Sequence, residues 1–577
     1  FNSALYLYLN GYFIGYSEKN FTPTEFDLTN YLVRGVNRIA LIVFKYSKQS
    51  WFEDQDMWRF GGIFRDVNLK FIPFTHIVDI DNRSFLSEDY STGILDLTVR
   101  VKGNLTNSFL KYSLKFNGNK LFEEQKNLTN EEFLIKKSIT NINPWSSEVP
   151  NLYQLDIFLV KDNTLIEATT IDIGFRSIEI RNGIMLINGQ RLILKGVNRH
   201  EFEMRVGRAI SDETIKEDLL LLKANNFNAI RTSHYPNCNR FYELADKNGI
   251  MVIDECAIES HGTLGSYLRF TNDNSLPKSD ESYINFCKNR ITNMYLRDKN
   301  HPSIILWSLG NESGNGKNFR IMKDTLKSLN NNALTHYENA YWDKEYEDCS
   351  DVLSMMYPTP NEVEEILKKG VKKPFILCEF AHAMGNSLGN VDEYLALIEK
   401  YPSFQGGFIW DYLDQALYID GKYHYGGDFL DNPNDLDFCC NGVISTRKEE
   451  ETAKSIALKD LYCPIKLAYI RERKELTISL NGYGLNDSVL KLEIGLCKNK
   501  KAIGNLNHVI TLLDTKVSHL NLRDFITETI DDNEALILKV QAKLFKKNND
   551  FYVAETMHTF LINESIKTLS LTKKPVK

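Results

Sequence analysis

The sequence predicts a multidomain protein centred on an eight-stranded parallel β/α barrel, with antiparallel β-sandwiches before and after it. Three observations carry this reading. After Gly183, short apolar runs alternate with amphipathic stretches, the rhythm of a parallel α/β arrangement. Before that point, and again beyond about Cys463, apolar and polar residues alternate with a period of two between turn residues, as in half-buried antiparallel strands. The length of 577 residues is several times that of one domain and accommodates roughly three to five.

Residues 1–74 hold short apolar runs such as Ala4 to Leu9 and Arg38 to Phe44, set apart by turn residues like Asn10 and Gly11. Residues 75–183 continue the pattern in Gly93 to Val101 and Tyr153 to Val160, which suits a sandwich. Residues 184–462 offer strand candidates at Leu192 to Val197, Phe227 to Arg231, Met251 to Asp254, Ser303 to Trp307, Leu334 to Tyr337, Val352 to Met356, Phe375 to Cys378 and Gly407 to Trp410. Helical stretches fall between them, among them Glu213 to Ala224, Asn361 to Lys368 and Val391 to Lys400. Eight such strands over about 280 residues favour a closed barrel over an open doubly wound sheet. Residues 463–577 alternate again in Leu476 to Leu480 and Leu490 to Leu496, which predicts a second sandwich.

Hydrophobic residues make up 43% and charged residues 25%, ordinary for a folded soluble chain. The net charge of −7 is spread without long runs of one sign, which argues against a nucleic-acid partner held by phosphate neutralisation. Nine cysteines without a CxxC pair suggest neither a disulfide framework nor a thiolate zinc site, and Cys439 and Cys440 read as packed thiols. No apolar run approaches the roughly 20 residues that span a bilayer, so no membrane partner is expected. The N-terminus lacks a signal-peptide pattern, which points to a cytoplasmic protein. The chain opens at Phe1 inside what reads as a strand, so further sequence is expected upstream.

In such a barrel the active site lies at the C-terminal ends of the strands. The first strand is followed by Asn198, Arg199, His200 and Glu201; the second ends in Arg231, with His234 and Tyr235 beyond. The third leads into Asp254, Glu255, Glu259 and His261, and the fourth into Asn311 and Glu312. Tyr357 follows the sixth strand, Glu379 and His382 the seventh, and Trp410 and Asp411 the eighth. Any one of these reads as a salt bridge or a helix cap; all of them together do not. Glu312 and Glu379 would face each other across the barrel mouth, the geometry that glycoside hydrolysis needs. One carboxyl protonates the leaving oxygen while the other attacks, or activates water, from the opposite face. Trp410, Tyr357 and Tyr235 offer flat apolar faces on which the CH side of a sugar ring can stack.

The segments EDQDMWR (Glu53 to Arg59), GVNRHE (Gly196 to Glu201), NAIRTSHYPN (Asn228 to Asn237), IDECAIESHG (Ile253 to Gly262), WSLGNESG (Trp307 to Gly314) and CEFAHAMGNS (Cys378 to Ser387) resemble bacterial β-galactosidases of glycoside hydrolase family 2. QGGFIWDYLDQ (Gln405 to Gln415) and FCCNG (Phe438 to Gly442) extend the match in the family's order over nearly the whole chain. The resemblance implies a partial jelly-roll sugar-binding domain at 1–74, an immunoglobulin-like sandwich at 75–183, a TIM barrel at 184–462 and a second immunoglobulin-like sandwich at 463–577. It also implies that Glu379 is the nucleophile of a covalent galactosyl-enzyme and Glu312 the acid and base, with Tyr357 hydrogen-bonding the nucleophile. The acid must hold its proton at neutral pH while the nucleophile is ionised. Retention further implies carboxyl groups about 5 to 5.5 Å apart.

By the same resemblance, His200, His234, His382 and Asn311 grip sugar hydroxyls, Arg231 positions Glu379, and Trp410 floors the galactose pocket. Glu259, His261 and Glu312 match magnesium ligands, and oxygen-rich ligation that keeps several waters suits Mg²⁺. Asp56, Asn441 and the carbonyl of Phe438 match a sodium site beside the 6-hydroxyl, so Asp56 would bring the first domain into the pocket. Glucuronidases and mannosidases share the folds and the paired glutamates; EDQDMWR and NES favour a galactosidase acting on a small β-galactoside such as lactose. A homo-oligomer is implied for the full-length protein. Against the family pattern, the front of the sugar-binding domain and a large C-terminal β-domain are expected to be missing. Two other readings stand beside this one: a galactoside-binding fragment that needs a complementing chain, and a relative with another sugar specificity.

Overall fold

The computed structural model describes residues 1–264, 275–480, 488–498, 501–512, 517–527, 536–546 and 552–562. The chain divides into two compact units, Phe1–Leu220 with Asn228–Lys454, and Leu221–Phe227 with Ser455–Lys577.

The first unit begins with a three-stranded antiparallel sheet in which Ala4–Leu9 lies between Tyr12–Ser17 and Ile39–Phe44. Asn10 and Gly11 make its hairpin turn at φ of 53° and 86°, the left-handed backbone these two residue types tolerate best. Next comes a sandwich. Along Thr92–Lys102 every second residue from Gly93 to Val101 is buried, because alternate side chains of a strand leave on opposite faces. This strand pairs with His76–Asn82 and Glu132–Thr140. The facing sheet centres on Ser108–Phe116 and Tyr153–Lys161. Leu95, Leu97 and Val99 meet Leu110, Tyr112, Leu155 and Ile157 in the core between the two sheets.

A short sheet of Ile178–Arg181, Ile184–Ile187 and Gln190–Arg191 leads into the barrel. Its Met185 and Ile187 share a core with the strand-start residues Leu194, Ala229 and Met251. The barrel strands are Leu194–Asn198, Ala229–Arg231, Met251–Glu255, Ile304–Ser308, Thr335–His336, Leu353–Met356, Phe375–Phe380 and Phe404–Ile409. Neighbours pair in parallel in the order fifth, fourth, third, second, first, eighth, seventh, sixth. The barrel is therefore closed except for a seam between the fifth and sixth strands. There the Asp351 N–H donates to the Thr335 carbonyl at 2.9 Å, and Asp351 Oδ2 accepts from the Thr335 N–H at 2.9 Å. A side chain thus replaces part of the ladder, which is why the fifth strand spans two residues instead of the expected Leu334 to Tyr337. The second strand starts late for a related reason: the Phe227 N–H is taken by the carbonyl of Leu222 at 3.1 Å.

Helices fill the intervals. Pro360–Lys369 opens with a capping box, in which Thr359 Oγ1 accepts from the Glu362 N–H and Glu362 Oε2 accepts from the Thr359 N–H at 2.7 Å. Among the described residues, no helix is long and apolar enough to cross a membrane.

The second unit is a further β-structure. Ile465–Ile470, Glu475–Leu480 and Val517–Asn521 form one antiparallel sheet; Lys501–Leu512, Ser488–Lys498, Leu536–Lys546 and Tyr552–Leu561 form the other. Ile465, Leu476, Ile478, Leu490, Leu492, Leu538 and Val540 are buried in one core. The architecture as a whole, barrel with β-domains on either side in sequence, is the one the sequence predicts.

Candidate active site

The barrel strands turn sharply where they deliver their side chains. Glu312 takes φ 28° and Tyr357 φ 51°, left-handed values that cost a non-glycine residue about 1–3 kcal/mol and persist only where the surroundings enforce them. Glu312 is held by its N–H, which donates to Glu338 Oε1 at 3.0 Å. The Tyr357 N–H donates to the backbone carbonyl of Glu379 at 2.8 Å. Ahead of Glu312, Gly310 takes φ 152°, and a Cβ there would stand 2.7 Å from the Ile258 carbonyl oxygen. That same carbonyl accepts from the Asn311 N–H at 2.9 Å, so glycine is what lets the fourth strand end beside the third.

Arg231, completely buried, is the hub. Its Nε donates to Glu255 Oε2 at 2.7 Å, Nη1 to Asn198 Oδ1 at 3.0 Å and to Glu379 Oε1 at 2.8 Å, and Nη2 to Asn311 Oδ1 at 2.7 Å. A planar guanidinium with five fixed donors suits this role in a way a lysine could not. One residue thereby orders the ends of the first, second, third, fourth and seventh strands. Glu379 is engaged on its other side as well, where Oε2 accepts from the Tyr357 hydroxyl at 2.7 Å.

The electrostatics follow from burial. Burial raises the Glu379 carboxyl, Arg231 pulls it down and Glu312 pushes it up again, leaving it at about 7. Burial, then the charge of Glu379, lifts Tyr357 well above its ordinary value, so it stays a donor. Glu338 is pushed well above the carboxylate range by burial and then by Glu312. Asp411 is pushed up by burial and by Asp414.

The aromatic and imidazole residues form a second layer. The His234 ring stacks on Trp410 at 5.1 Å and 8°, and His200 meets Trp410 edge-on at 5.6 Å. His234 Nδ1 lies 2.8 Å from Glu255 Oε1, and Nε2 lies 3.8 Å from Glu379 Oε1. Tyr235 is completely buried and bonds His200 Nδ1 at 3.1 Å, so it supports the pocket from behind rather than as a platform. His382 lies between Tyr357 at 5.8 Å and Phe438 at 5.5 Å, ring to ring. His200 Nε2 and Trp410 Nε1 are buried and find no partner among the described residues. Buried polar atoms are nearly always satisfied, so two open ones in one cluster are what a polar ligand would fill.

A cation-seeking cluster adjoins the glutamates. Asp56, His261 and Glu312 each bring a ligand atom within 4.8 Å of the others, and His261 Nδ1 hydrogen-bonds Glu312 Oε2. Burial alone would lower the His261 imidazole, but Glu312 and then Asp56 bring it up to about 9. A positive charge is thus stabilised between these acids. Glu259 stands beside the trio. Its Oε1 accepts from Asn311 Nδ2 at 3.2 Å, and its buried Oε2 finds no partner among the described residues. Burial, Glu312 and Asp56 raise its carboxyl well above the ordinary range. Three carboxylates and an imidazole with an unfilled oxygen fit a hard divalent cation. Asp56 reaches this place because its segment is laced to the third barrel loop: the Glu259 N–H donates to the Phe52 carbonyl at 3.0 Å, and the Asp54 N–H to the Glu259 carbonyl at 3.2 Å. Of the expected sodium set, the Phe438 carbonyl accepts from Asn441 Nδ2, and Asn441 Oδ1 is buried without a partner among the described residues.

Not every polar strand end faces the pocket. Arg199 turns to Asp218 Oδ2 at 2.6 Å and Asn237 at 2.7 Å, Glu201 to Arg65 at 2.7 Å, and Asp254 accepts from the Tyr242 hydroxyl at 2.6 Å. These contacts are structural. Conversely, Glu338, Ser308, His336 and Ser354 belong to the network and were not singled out from the sequence. Glu338 follows directly on the expected fifth strand, Leu334 to Tyr337, but a lone acid there carries no motif that marks it.

A barrel whose mouth holds two glutamates, one in the loop after the fourth strand and one at the end of the seventh, the latter clamped by an arginine and a tyrosine, defines the class: a barrel with a paired-carboxylate centre. The model of the glycosyl hydrolases family 2 TIM barrel domain matches residues 178–467, that of the family's sugar binding domain residues 1–73, and a third family 2 model residues 75–176. The chain belongs to glycosyl hydrolase family 2. It is 41% identical over 467 residues to a β-galactosidase of Lactobacillus delbrueckii subsp. bulgaricus, covering 81% of this chain and 46% of that protein. It is 40% identical over 507 residues to a β-galactosidase of Streptococcus thermophilus, covering 82% and 49%. The chain thus spans about half the length of these relatives. In fold it is similar to the crystal structure of the Parabacteroides merdae β-glucuronidase, with a TM-score of 0.67 at 18% identity over 97% of this chain and 75% of that one.

Proposed function

We propose that this chain carries the active centre of a retaining β-galactosidase that hydrolyses terminal β-D-galactosides such as lactose. The observation that carries the reaction type is the clamp on Glu379, with Arg231 on one oxygen at 2.8 Å and Tyr357 on the other at 2.7 Å. Glu379 attacks the anomeric carbon while the proton of Glu312 passes to the glycosidic oxygen. The bond between them breaks, the alcohol leaves and a galactosyl ester forms. The Glu312 carboxylate then takes a proton from water, whose oxygen attacks the same carbon and displaces Glu379. Tyr357 donates to the returning carboxylate, and Arg231 keeps it oriented.

The choice of galactose rests on the names of the relatives and on the EDQDMWR and NES segments. Glu259, His261 and Glu312 would hold Mg²⁺, which would supply a positive field beside the acid and base. Asp56, Asn441 and the Phe438 carbonyl would hold Na⁺. A homo-oligomer for the full-length protein completes the reading on the family resemblance alone.

Turnover of nitrophenyl β-galactoside, β-glucoside, β-glucuronide and β-mannoside, with Mg²⁺ and Na⁺ present, tests this. The galactoside is expected to be preferred, with Glu379→Gln abolishing its turnover. Preference for another sugar overturns the substrate, and near-normal activity of the variant overturns the mechanism.

A further inference from the structure

The two imidazoles beside Trp410 are held by different kinds of partner, and obligate donors fix what each can offer. Arg231 can only donate. Its Nη2 holds Asn311 Oδ1 at 2.7 Å, so the amide nitrogen of Asn311 must turn the other way, where it lies 3.4 Å from His234 Nε2. His234 Nε2 is therefore an acceptor. The opposite ring nitrogen agrees. Burial raises the Glu255 carboxyl, but Arg231 Nε and the Ser308 hydroxyl, both donating to Oε2 at 2.7 Å, oppose it and favour the ionised acid, whose Oε1 then accepts from His234 Nδ1 at 2.8 Å.

His200 is arranged in the opposite sense. The backbone N–H of Glu201 donates to the Tyr235 hydroxyl oxygen at 3.2 Å, leaving the hydroxyl proton for His200 Nδ1 at 3.1 Å. Nδ1 then accepts, and a neutral ring carries its proton on Nε2. Burial holds both imidazoles well below their ordinary value, so both rings are neutral. His200 Nε2 is also one of the two buried atoms of the cluster without a partner among the described residues, the other being Trp410 Nε1.

We propose that Glu255 and Tyr235 are positioning residues that lock His234 and His200 in opposite tautomers, so that the pocket presents an acceptor nitrogen from His234 and donor N–H groups from His200 and Trp410. The site then reads a ligand by the direction of its hydroxyl hydrogen bonds. A hydroxyl at His234 must donate, taking the place of the long 3.4 Å contact from Asn311 Nδ2, which keeps Glu259 Oε1 at 3.2 Å as a partner, and a ligand oxygen at His200 must accept. The ligand being a sugar rests on the proposed function; the tautomers do not.

Ring nitrogens of ¹⁵N-histidine-labelled protein report the tautomers directly, with His234→Asn and His200→Asn used only to assign the signals. The wild-type protein without sugar is expected to show protonated Nδ1 and bare Nε2 for His234, and the reverse for His200. In Glu255→Gln, Arg231 and Ser308 keep the amide oxygen, the amide NH₂ turns to His234 Nδ1, and the His234 tautomer is expected to flip. Nitrophenyl galactoside kcat/KM is expected to fall at least tenfold in that variant. Tyr235→Phe is expected to release His200 into a tautomer mixture while His234 stays as it was. The same tautomer in both wild-type rings, an imidazolium in either, or an unflipped His234 in a folded Glu255→Gln variant overturns the proposal. If that variant does not fold, the wild-type spectrum still decides. If the spectra hold but galactosides are not turned over, the substrate reading fails and the positioning roles stand.

Discussion

Arg231 Nη1 lies 2.8 Å from Glu379 Oε1, with the guanidinium completely buried. Burial raises this carboxyl and the guanidinium lowers it, which brings it to about 7. A nucleophile must be ionised to act, so anything that raises this value moves the rise of activity to higher pH, and anything that lowers it moves the rise to lower pH.

Arg231→Lys keeps a charge but cannot hold Glu255, Asn198, Asn311 and Glu379 at once. The acid limb of kcat/KM is expected to move to higher pH, with a loss of roughly 10- to 100-fold at neutral pH if about 1.5–3 kcal/mol of charge-assisted bonding is lost. A pH–rate profile checks this, and an unmoved limb contradicts it.

Tyr357→Phe removes the 2.7 Å bond to Glu379 Oε2. The charge-assisted bond contributes about 1.5–3 kcal/mol, so kcat is expected to fall roughly 10- to 100-fold. Because the hydroxyl also serves the departing carboxylate, the second step should suffer, and rapid mixing with a dinitrophenyl galactoside should show a burst of phenolate. A steady rate without a burst would place the role of Tyr357 elsewhere.

Chelation of divalent ions should lower activity and shift its acid limb upward, since the uncompensated acids at Glu312, Asp56 and Glu259 then raise Glu379. Adding Mg²⁺ should reverse both effects, and Glu259→Gln should raise the Mg²⁺ concentration needed. Profiles with and without chelator that superimpose would contradict the site.

Gly310→Ala would force a Cβ to within 2.7 Å of the Ile258 carbonyl. A stability loss of about 1–3 kcal/mol is expected in thermal or denaturant unfolding, together with loss of activity as Glu312 shifts. Full activity at wild-type stability would show that the fourth strand end tolerates displacement.

Much of this was legible in the sequence because barrel strands, covered on both faces, read as short apolar runs, and their ends name Arg231, Glu312, Tyr357 and Glu379 directly. The ends do not say which side chain turns inward. Adjacent residues leave a strand on opposite faces, so Glu255 joins the pocket while Asp254 goes to Tyr242. That difference needs the register. The network from Glu255 through Ser308 and His336 to Ser354 was not readable, because its members sit on four strands and meet only in space. Glu338 stands directly after the expected fifth strand, but an isolated acid does not announce that it will accept from the Glu312 N–H. The arrival of Asp56 beside His261 depends on backbone bonds between residues 52 to 54 and Glu259 that no local pattern announces.

The most direct test of the central claim is to trap the covalent intermediate. After reaction with dinitrophenyl 2-deoxy-2-fluoro-β-galactoside, peptide mass mapping should find one fluorogalactosyl group on Glu379, and turnover should stop in step with labelling. A label on Glu312, or inactivation without any label, would contradict the assignment of Glu379 as the nucleophile.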